Sequence, residues 1–157
     1  MNQDKFLELS WSELGVLIGE LANKILNSEK KFDLVIGIAR GGLPASMVIA
    51  DQLGAHWDAL NIKSYKGIER VKLPEIVTTV SEDIAGKRVL LVDDLVDTGD
   101  TMATVIEHLK LLGAGEVIVA VLFIKTWSKK RPDFWLRETD KFIVFPWEQN
   151  EIKKTAS

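Results

Sequence analysis

Three compact apolar runs constrain this 157-residue chain more than any other feature of its sequence: Phe32 to Ala39, Arg88 to Val92 and Glu116 to Ile124. They carry β-branched residues and do not alternate with polar ones, which is typical of strands covered on both faces in a parallel sheet. Helical spacing follows the first two runs, over Leu43 to Leu53 and from Thr101 to Leu112. This alternation predicts an α/β fold with an open, mostly parallel twisted sheet flanked by helices.

The remaining segments fit one domain over residues 1–157, because no repeat or linker interrupts them. Ser10 and Glu13 form a capping-box pattern, which predicts a helix with Leu14, Leu17, Leu21 and Ile25 on one face. The other expected elements are a strand from Trp57 to Ser64, a long loop or weak hairpin over Lys66 to Glu82, and a last strand from Phe142 to Phe145.

Composition narrows the possible functions. A formal net charge of -3 provides no basic field for a nucleic-acid backbone, so no nucleic-acid partner is expected. The absence of cysteine excludes disulfides, thiol nucleophiles and thiolate metal sites. Because the first residues do not resemble a signal peptide and the apolar runs are only as long as strands, we expect a cytoplasmic protein without a membrane partner.

The strongest functional signal is the segment that joins a buried strand to the next helix, Asp93 to Thr101. In open α/β sheets ligands bind beyond the carboxyl ends of the strands, and this segment starts there. Thr98 and Thr101 offer hydroxyl groups, Gly99 lets the backbone approach closely, and the N-terminus of the following helix favours an anion. The pattern therefore predicts a phosphate site.

Three carboxylates beside a phosphate need another purpose, because they would repel it. Asp93, Asp94 and Asp97 can accept hydrogen bonds from sugar hydroxyls or attract Mg²⁺. Asp93 and Asp94 would face opposite sides if the strand continued, so we expect one of them to turn as the chain leaves the pleat. The alternative is plain helix capping, which would account for Asp97 or Asp100 but not for three acids in succession.

This segment resembles the phosphoribosyl pyrophosphate motif of the type I phosphoribosyltransferases. Three further matches, the residues from Arg40 to Leu43, Lys125 and the run Phe142 to Glu148, are similar to the small microbial xanthine-guanine and hypoxanthine-guanine enzymes. The matches extend from Ile36 to Glu148, which is most of the chain. The resemblance implies this family's fold, with a small C-terminal hood that covers the purine base.

The resemblance also implies roles for the acids and their loop. The 5′-phosphate would be bound by Thr98, Gly99, Asp100 and Thr101. Asp93 and Asp94 would engage the ribose hydroxyls directly or through Mg²⁺, with Glu148 as a further Mg²⁺ ligand. Asp97 would be the catalytic residue, placed beside N7 of the purine to exchange a proton. Asp100 departs from several relatives, which carry glycine or lysine there, and we expect its side chain to point away and cap the helix.

Two other segments are implied to bind pyrophosphate. Arg40 and Gly41 resemble the family's pyrophosphate loop, which often contains a non-proline cis peptide, and Ser64 and Tyr65 resemble its mobile lid. A guanidinium fork and glycine N–H groups suit pyrophosphate, and a closing lid would keep water from the donor. The alternatives are a plain strand-to-helix turn with a surface arginine and an ordinary surface loop.

Base recognition is assigned to Lys125, Phe142 and Ile143. A cation at the end of a strand can donate to a ring carbonyl but meets an exocyclic amine unfavourably, which selects 6-oxopurines over adenine. Phe142 resembles the aromatic residue that stacks on the base, and Ile143 the residue whose backbone faces position 2. The alternatives are a lysine that reaches the surface from a strand end and an aromatic residue of the core.

The resemblance implies a Mg²⁺-dependent purine-salvage transferase. Its substrates would be phosphoribosyl pyrophosphate and guanine, hypoxanthine or xanthine, its products GMP, IMP or XMP and pyrophosphate, and its assembly a homodimer or homotetramer. The alternative is a non-catalytic regulatory protein of the same fold that binds phosphoribosyl pyrophosphate or a nucleotide. No role is assigned to Trp57, Trp127 or Trp135, although some tryptophans are expected at a subunit interface.

Overall fold

The computed structural model describes residues 5–63 and 74–151. In this part of the chain there are eight strands and three helices, in the order β1 (Phe6–Glu8), α1 (Trp11–Asn27), β2 (Leu34–Ala39), α2 (Leu43–Leu53), β3 (His56–Lys63), β4 (Glu75–Thr78), β5 (Arg88–Val96), α3 (Asp100–Leu111), β6 (Glu116–Lys125), β7 (Phe134–Thr139) and β8 (Phe142–Val144). None of the helices in these ranges is long and apolar enough to cross a membrane.

The main sheet has six strands in the order β4-β3-β2-β5-β6-β7. Neighbouring strands from β3 to β7 are parallel, and the edge strand β4 is antiparallel to β3. This order confirms the predicted open, mostly parallel sheet, and it places the carboxyl ends of β2, β5 and β6 side by side. The segments that start at Arg40, Asp97 and Thr126 therefore meet at one edge.

Both faces of the central strands are buried, as their unbroken apolar runs predict. Val35 and Leu90 belong to a cluster with α1 and α2, whereas the next residues along the strands, Ile36 and Leu91, belong to a cluster with α3. Because successive side chains of a strand point to opposite faces, a strand between two helical layers needs apolar residues at every position.

Helix α1 begins with the predicted capping box. The backbone N–H of Ser10 donates to Glu13 Oε2 at 2.8 Å, and the backbone N–H of Glu13 donates to Ser10 Oγ at 3.2 Å. The buried face of α1 differs in part from the predicted one. Ile18 is buried, whereas Leu17, which was predicted on this face, is only half-buried.

Two features differ from the sequence predictions, and a third agrees with one of two predicted alternatives. Strand β5 runs on to Val96, so neither Asp93 nor Asp94 leaves the strand, and the predicted turn at this pair is wrong. β7 was not predicted, because it has polar residues at Arg137 and Glu138 as expected of an edge strand. The segment before β5 contributes β4, which pairs with β3 and matches one of the two predicted alternatives, a weak hairpin.

The last predicted strand lies outside the main sheet. β8 pairs in parallel with β1. This two-stranded sheet places Phe142 beside the edge of the main sheet where the carboxyl ends of β2, β5 and β6 meet. β1 has only three residues, which is too short to give a periodic signal in the sequence. The two ends of the chain thus build the small hood together.

Candidate functional site

A cavity of about 480 Å³ opens at the carboxyl edge of the sheet. Its wall includes most of the residues that the sequence indicated: Gly41, Asp93, Asp94, Asp97, Thr98, Gly99, Asp100, Thr101, Lys125, Phe142, Ile143 and Glu148. They come from the ends of β2, β5 and β6 and from the hood. The topology therefore gathers residues from distant segments into one site large enough for a small molecule.

The acid pair at the end of β5 lies half-buried in the cavity wall. The backbone N–H of Asp94 donates to Asp93 Oδ1 at 2.9 Å. Burial raises the pKa of Asp93 well above its ordinary value, and the neighbouring charge of Asp94 adds to this increase. Burial also raises the pKa of Asp94 to about 6, where a hydrogen bond with Asp93 opposes the increase and the charge of Glu148 adds to it. Two adjacent carboxylates with raised pKa values favour a ligand that brings positive charge or hydrogen-bond donors.

Gly41 packs directly against Asp94. A Cβ atom at position 41 would overlap the Asp94 carboxylate, so only glycine leaves room for this contact. Gly42 is equally restricted, because a Cβ there would lie 2.8 Å from the carbonyl oxygen of Ile38. The two glycines let the turn after β2 approach the end of β5 closely enough to form one wall of the cavity.

The loop from Thr98 to Thr101 leads into α3. Gly99 is its N-cap residue, with a φ of 92° and no side chain of its own to cap the helix, while the backbone N–H of Asp100 donates to Thr98 Oγ1 at 3.3 Å. The prediction that Asp100 caps the helix is therefore wrong, since Asp100 is the first helical residue. Its carboxylate instead accepts from Lys130 Nζ at 3.1 Å, and the stem of Lys130 lies against Gly99. Lys130 thus brings a cation beside this loop, and no sequence pattern predicted this placement.

Lys125 lies at the end of β6 and is only 6% exposed. Its ammonium donates to the carbonyl oxygen of Lys141 and lies 5.2 Å from the centre of the Trp127 ring. Burial lowers the pKa of Lys125, and the charges of Asp97 and Asp140 act in the opposite direction. The ammonium therefore reaches the edge shared with Asp97, but it is more enclosed than a lysine that extends to the surface.

Asp97 is exposed at the mouth of the cavity. Its Oδ1 atom accepts a hydrogen bond of 2.7 Å from the indole Nε1 of Trp127. No role was predicted for Trp127, although its position two residues after Lys125 indicated that it would lie at the same edge of the sheet. The structure thus links Asp97 and Lys125 through one aromatic side chain.

The hood supplies an aromatic side chain to the cavity. Phe142 is 54% exposed and lines the cavity, so it is not a core residue, whereas Ile143 is 5% exposed. Phe6 meets the ring of Phe142 edge-on, with 5.7 Å between the ring centres. An exposed ring fixed by a neighbouring ring offers a surface on which a planar ligand can stack.

Arg40 does not belong to the cavity wall in this structure. It follows a cis peptide bond between Ala39 and Arg40, and its guanidinium pairs with Glu151 at 2.9 Å, with 70% and 62% of the two side chains exposed. The predicted lid residues Ser64 and Tyr65 lie outside the described residues. Of the two predicted pyrophosphate residues within the described ranges, Gly41 lines the cavity and Arg40 does not.

The described ranges contain no group of three or more acidic or histidine side chains arranged to hold a metal ion. Asp93, Asp94 and Glu148 line the same cavity, but they do not form a complete ligand set. Mg²⁺ commonly binds through one or two carboxylates together with substrate oxygens and water. The donor set therefore fits a Mg²⁺ ion that arrives with a phosphorylated substrate.

Comparison with known proteins identifies the family. The sequence model of one protein family, the phosphoribosyl transferase domain, matches residues 9–151 of this chain. The chain belongs to this family. A purine phosphoribosyltransferase from Pyrococcus horikoshii has 38% sequence identity and a TM-score of 0.81, with 92% of this chain and 95% of that chain covered. This neighbour also confirms the predicted fold class.

Two groups of relatives differ in function. A xanthine-guanine phosphoribosyltransferase from Nitratidesulfovibrio vulgaris is 31% identical over 147 residues, which cover 92% of this chain and 85% of the relative. The transcriptional regulator GfcR 2 from Methanosarcina barkeri is 34% identical over 135 residues, which cover 77% of this chain but only 64% of the regulator. The chain therefore spans less than two thirds of the regulator's length. A Neisseria gonorrhoeae protein with bound ppGpp is 26% identical, with a TM-score of 0.80 over 97% of this chain and 94% of that one.

Proposed function

We propose that this protein transfers 5-phosphoribosyl from phosphoribosyl pyrophosphate to N9 of guanine, hypoxanthine or xanthine. The observation that carries the proposal is the meeting of a phosphate-type loop, a half-buried acid pair and a buried lysine around one cavity. The similarity to a xanthine-guanine phosphoribosyltransferase over most of both chains supports the same reaction.

The donor would lie along the end of β5. The N–H groups and hydroxyls from Thr98 to Thr101 bind the 5′-phosphate at the N-terminus of α3, where the helix dipole favours an anion. Lys130 offsets the negative charge of Asp100 beside this phosphate. The carboxylates of Asp93 and Asp94 accept hydrogen bonds from the ribose hydroxyls. Arg40 would contact pyrophosphate after leaving its exposed pair with Glu151.

Asp93 and Asp94, with Glu148, would also hold Mg²⁺ bound to the donor. The ion would supply positive charge that stabilises the departing pyrophosphate. Their raised pKa values agree with this role, because a bound cation would offset the repulsion between the two carboxylates. Mg²⁺ dependence is tested by assay with and without a chelator.

The base would stack on Phe142 below the hood, with its 6-oxo group toward Lys125. An ammonium has three donors, so Lys125 can keep its bond to Lys141 and still donate to the base. In the reaction N9 forms a bond to C1 of the ribose, pyrophosphate leaves with the electrons of the broken C–O bond, and Asp97 takes a proton from the base. Catalysis would depend on positioning and charge, without a covalent enzyme intermediate.

A second function is favoured by the similarity to GfcR regulators: binding of phosphoribosyl pyrophosphate or a nucleotide without chemistry. One experiment separates the two. Guanine, hypoxanthine, xanthine, adenine, uracil and orotate are assayed in parallel with Mg²⁺ and phosphoribosyl pyrophosphate. Turnover of a 6-oxopurine supports the proposal, whereas tight donor binding with no turnover of any base would favour the regulatory function. The proposal includes a cytoplasmic location and a homodimer or homotetramer, and light scattering tests the subunit number.

A further inference from the structure

The indole of Trp127 makes two directed contacts at the mouth of the cavity. Its Nε1 donates to Asp97 Oδ1 at 2.7 Å, and its ring centre lies 5.2 Å from the ammonium of Lys125. The side chain is 54% exposed and lines the cavity. A large apolar side chain so exposed contributes little to core packing, so its directed contacts are the better explanation of its placement.

The two partners of Trp127 come from separate segments of the chain. Asp97 follows β5, and Lys125 ends β6. An indole can serve both at once, because its edge carries one N–H donor and its face carries negative electrostatic potential that attracts a cation. Phenylalanine could attract the cation but could not donate to the carboxylate, and the aliphatic residues could do neither.

We propose that Trp127 is a positioning residue that fixes the Asp97 carboxylate and the Lys125 ammonium relative to each other. Asp97 is exposed, so its carboxylate would otherwise sample several rotamers in water. A charge-assisted hydrogen bond from a ring with only two side-chain torsions holds that carboxylate in one orientation. This role rests on the proposed phosphoribosyl transfer, in which Trp127 links Asp97, which takes the proton, to Lys125, which donates to the 6-oxo group of the base.

Two variants separate the two contacts of Trp127. Trp127→Phe removes the N–H donor and keeps an aromatic face for Lys125, whereas Trp127→Leu removes both. Trp57→Phe is the matched control, because it removes an indole N–H that donates to Ser46 Oγ at 2.9 Å and Trp57 does not line the cavity. Thermal melting of each variant checks that the fold is retained.

For Trp127→Phe we expect kcat with hypoxanthine to fall about tenfold while KM for phosphoribosyl pyrophosphate stays within about twofold, since the lost contact acts on the base proton and not on the donor. Its preference for hypoxanthine over adenine should be kept. In Trp127→Leu the preference for hypoxanthine over adenine should in addition fall about tenfold. The proposal is overturned if Trp127→Phe has the same kcat as Trp57→Phe, or if both variants at position 127 raise KM for the donor and leave kcat unchanged.

A second measurement does not depend on activity. The indole N–H signal of Trp127 is assigned by its loss from the ¹H–¹⁵N spectrum of Trp127→Phe. In Asp97→Ala this signal should move and exchange faster with water, while the indole signals of Trp57 and Trp135 should stay in place. An unchanged signal would overturn the inferred contact. If wild-type protein reacts with no base, the proposed function fails, and the indole signal still decides whether Trp127 holds Asp97.

Discussion

Replacing Asp94 by asparagine should stabilise the protein at neutral pH. The carboxylate is half-buried, its pKa is raised from 3.8 to about 6 by burial and by the charge of Glu148, and Gly41 packs against it. In the unfolded chain it ionises at its ordinary pKa. The folded protein therefore binds more protons than the unfolded chain between these two values, so the free energy of unfolding falls as pH rises through this window and is constant above it.

The magnitude follows from the two pKa values of Asp94. Linkage gives a loss of about 3 kcal/mol in the free energy of unfolding by about pH 7.5, of which about 1 kcal/mol is already lost at about pH 4.5. An asparagine has nearly the same shape and does not ionise, so Asp94→Asn should recover this loss. For a domain of this size, the melting temperature should rise by roughly 4–8 °C more at about pH 7.5 than at about pH 4.5.

Differential scanning calorimetry at the two pH values measures this effect. Asp58→Asn is the control with the opposite sign. Burial acts to raise the pKa of Asp58, but hydrogen bonds from Ala59, Glu82 and Ser81 outweigh it and lower the pKa. The stability that Asp58 provides is present above its unfolded pKa and is lost as pH falls, so its replacement should destabilise at neutral pH. A gain for Asp94→Asn that is equal at both pH values, or a loss at neutral pH, would refute the reasoning.

Three further replacements test the cavity wall. Gly41→Ala places a Cβ onto the Asp94 carboxylate, so we expect the dissociation constant for phosphoribosyl pyrophosphate, measured by calorimetry, to rise at least about tenfold, and unchanged affinity would contradict the packing. Gly99→Ala forces alanine to a φ of 92°, with its Cβ 2.6 Å from that of Lys130, and should lower the free energy of unfolding in urea by about 1–3 kcal/mol. Lys125→Gln removes the ammonium, so kcat/KM for hypoxanthine should fall about 10- to 100-fold with little change for adenine, and an equal fall for both bases would argue against Lys125 as the selecting residue.

Local patterns were enough to predict most of the fold. The capping box at Ser10 and Glu13 depends on residues close in sequence, and the apolar runs of β2, β5 and β6 depend on burial of both strand faces. β1 and β7 were missed because one is three residues long and the other carries the polar side chains of an edge strand. Such strands are stabilised by pairing with neighbouring strands, which lie elsewhere in the chain.

Most of the side chains that line the cavity were also predictable from the sequence, but their contacts with one another were not. The segment Asp93 to Thr101 indicates a phosphate and sugar site, because the types of side chain and the strand-loop-helix order suffice for that prediction. The extension of β5 through Asp94, the pairing of Asp100 with Lys130 and the pairing of Arg40 with Glu151 join residues far apart in sequence or depend on neighbouring strands. A single sequence gives no distance between such residues.

The sequence by itself determined the alternation of strands and helices, the ligand edge and the kinds of groups that meet there. Only the tertiary structure decided that Trp127 bonds to Asp97 and faces Lys125, and that a strand at the start of the chain supports Phe142. Periodicity and residue type report on local conformation and burial, whereas a directed contact depends on how separate segments pack. For that reason the residue that links the two chemical groups of the site carried no sequence signal strong enough to give it a role.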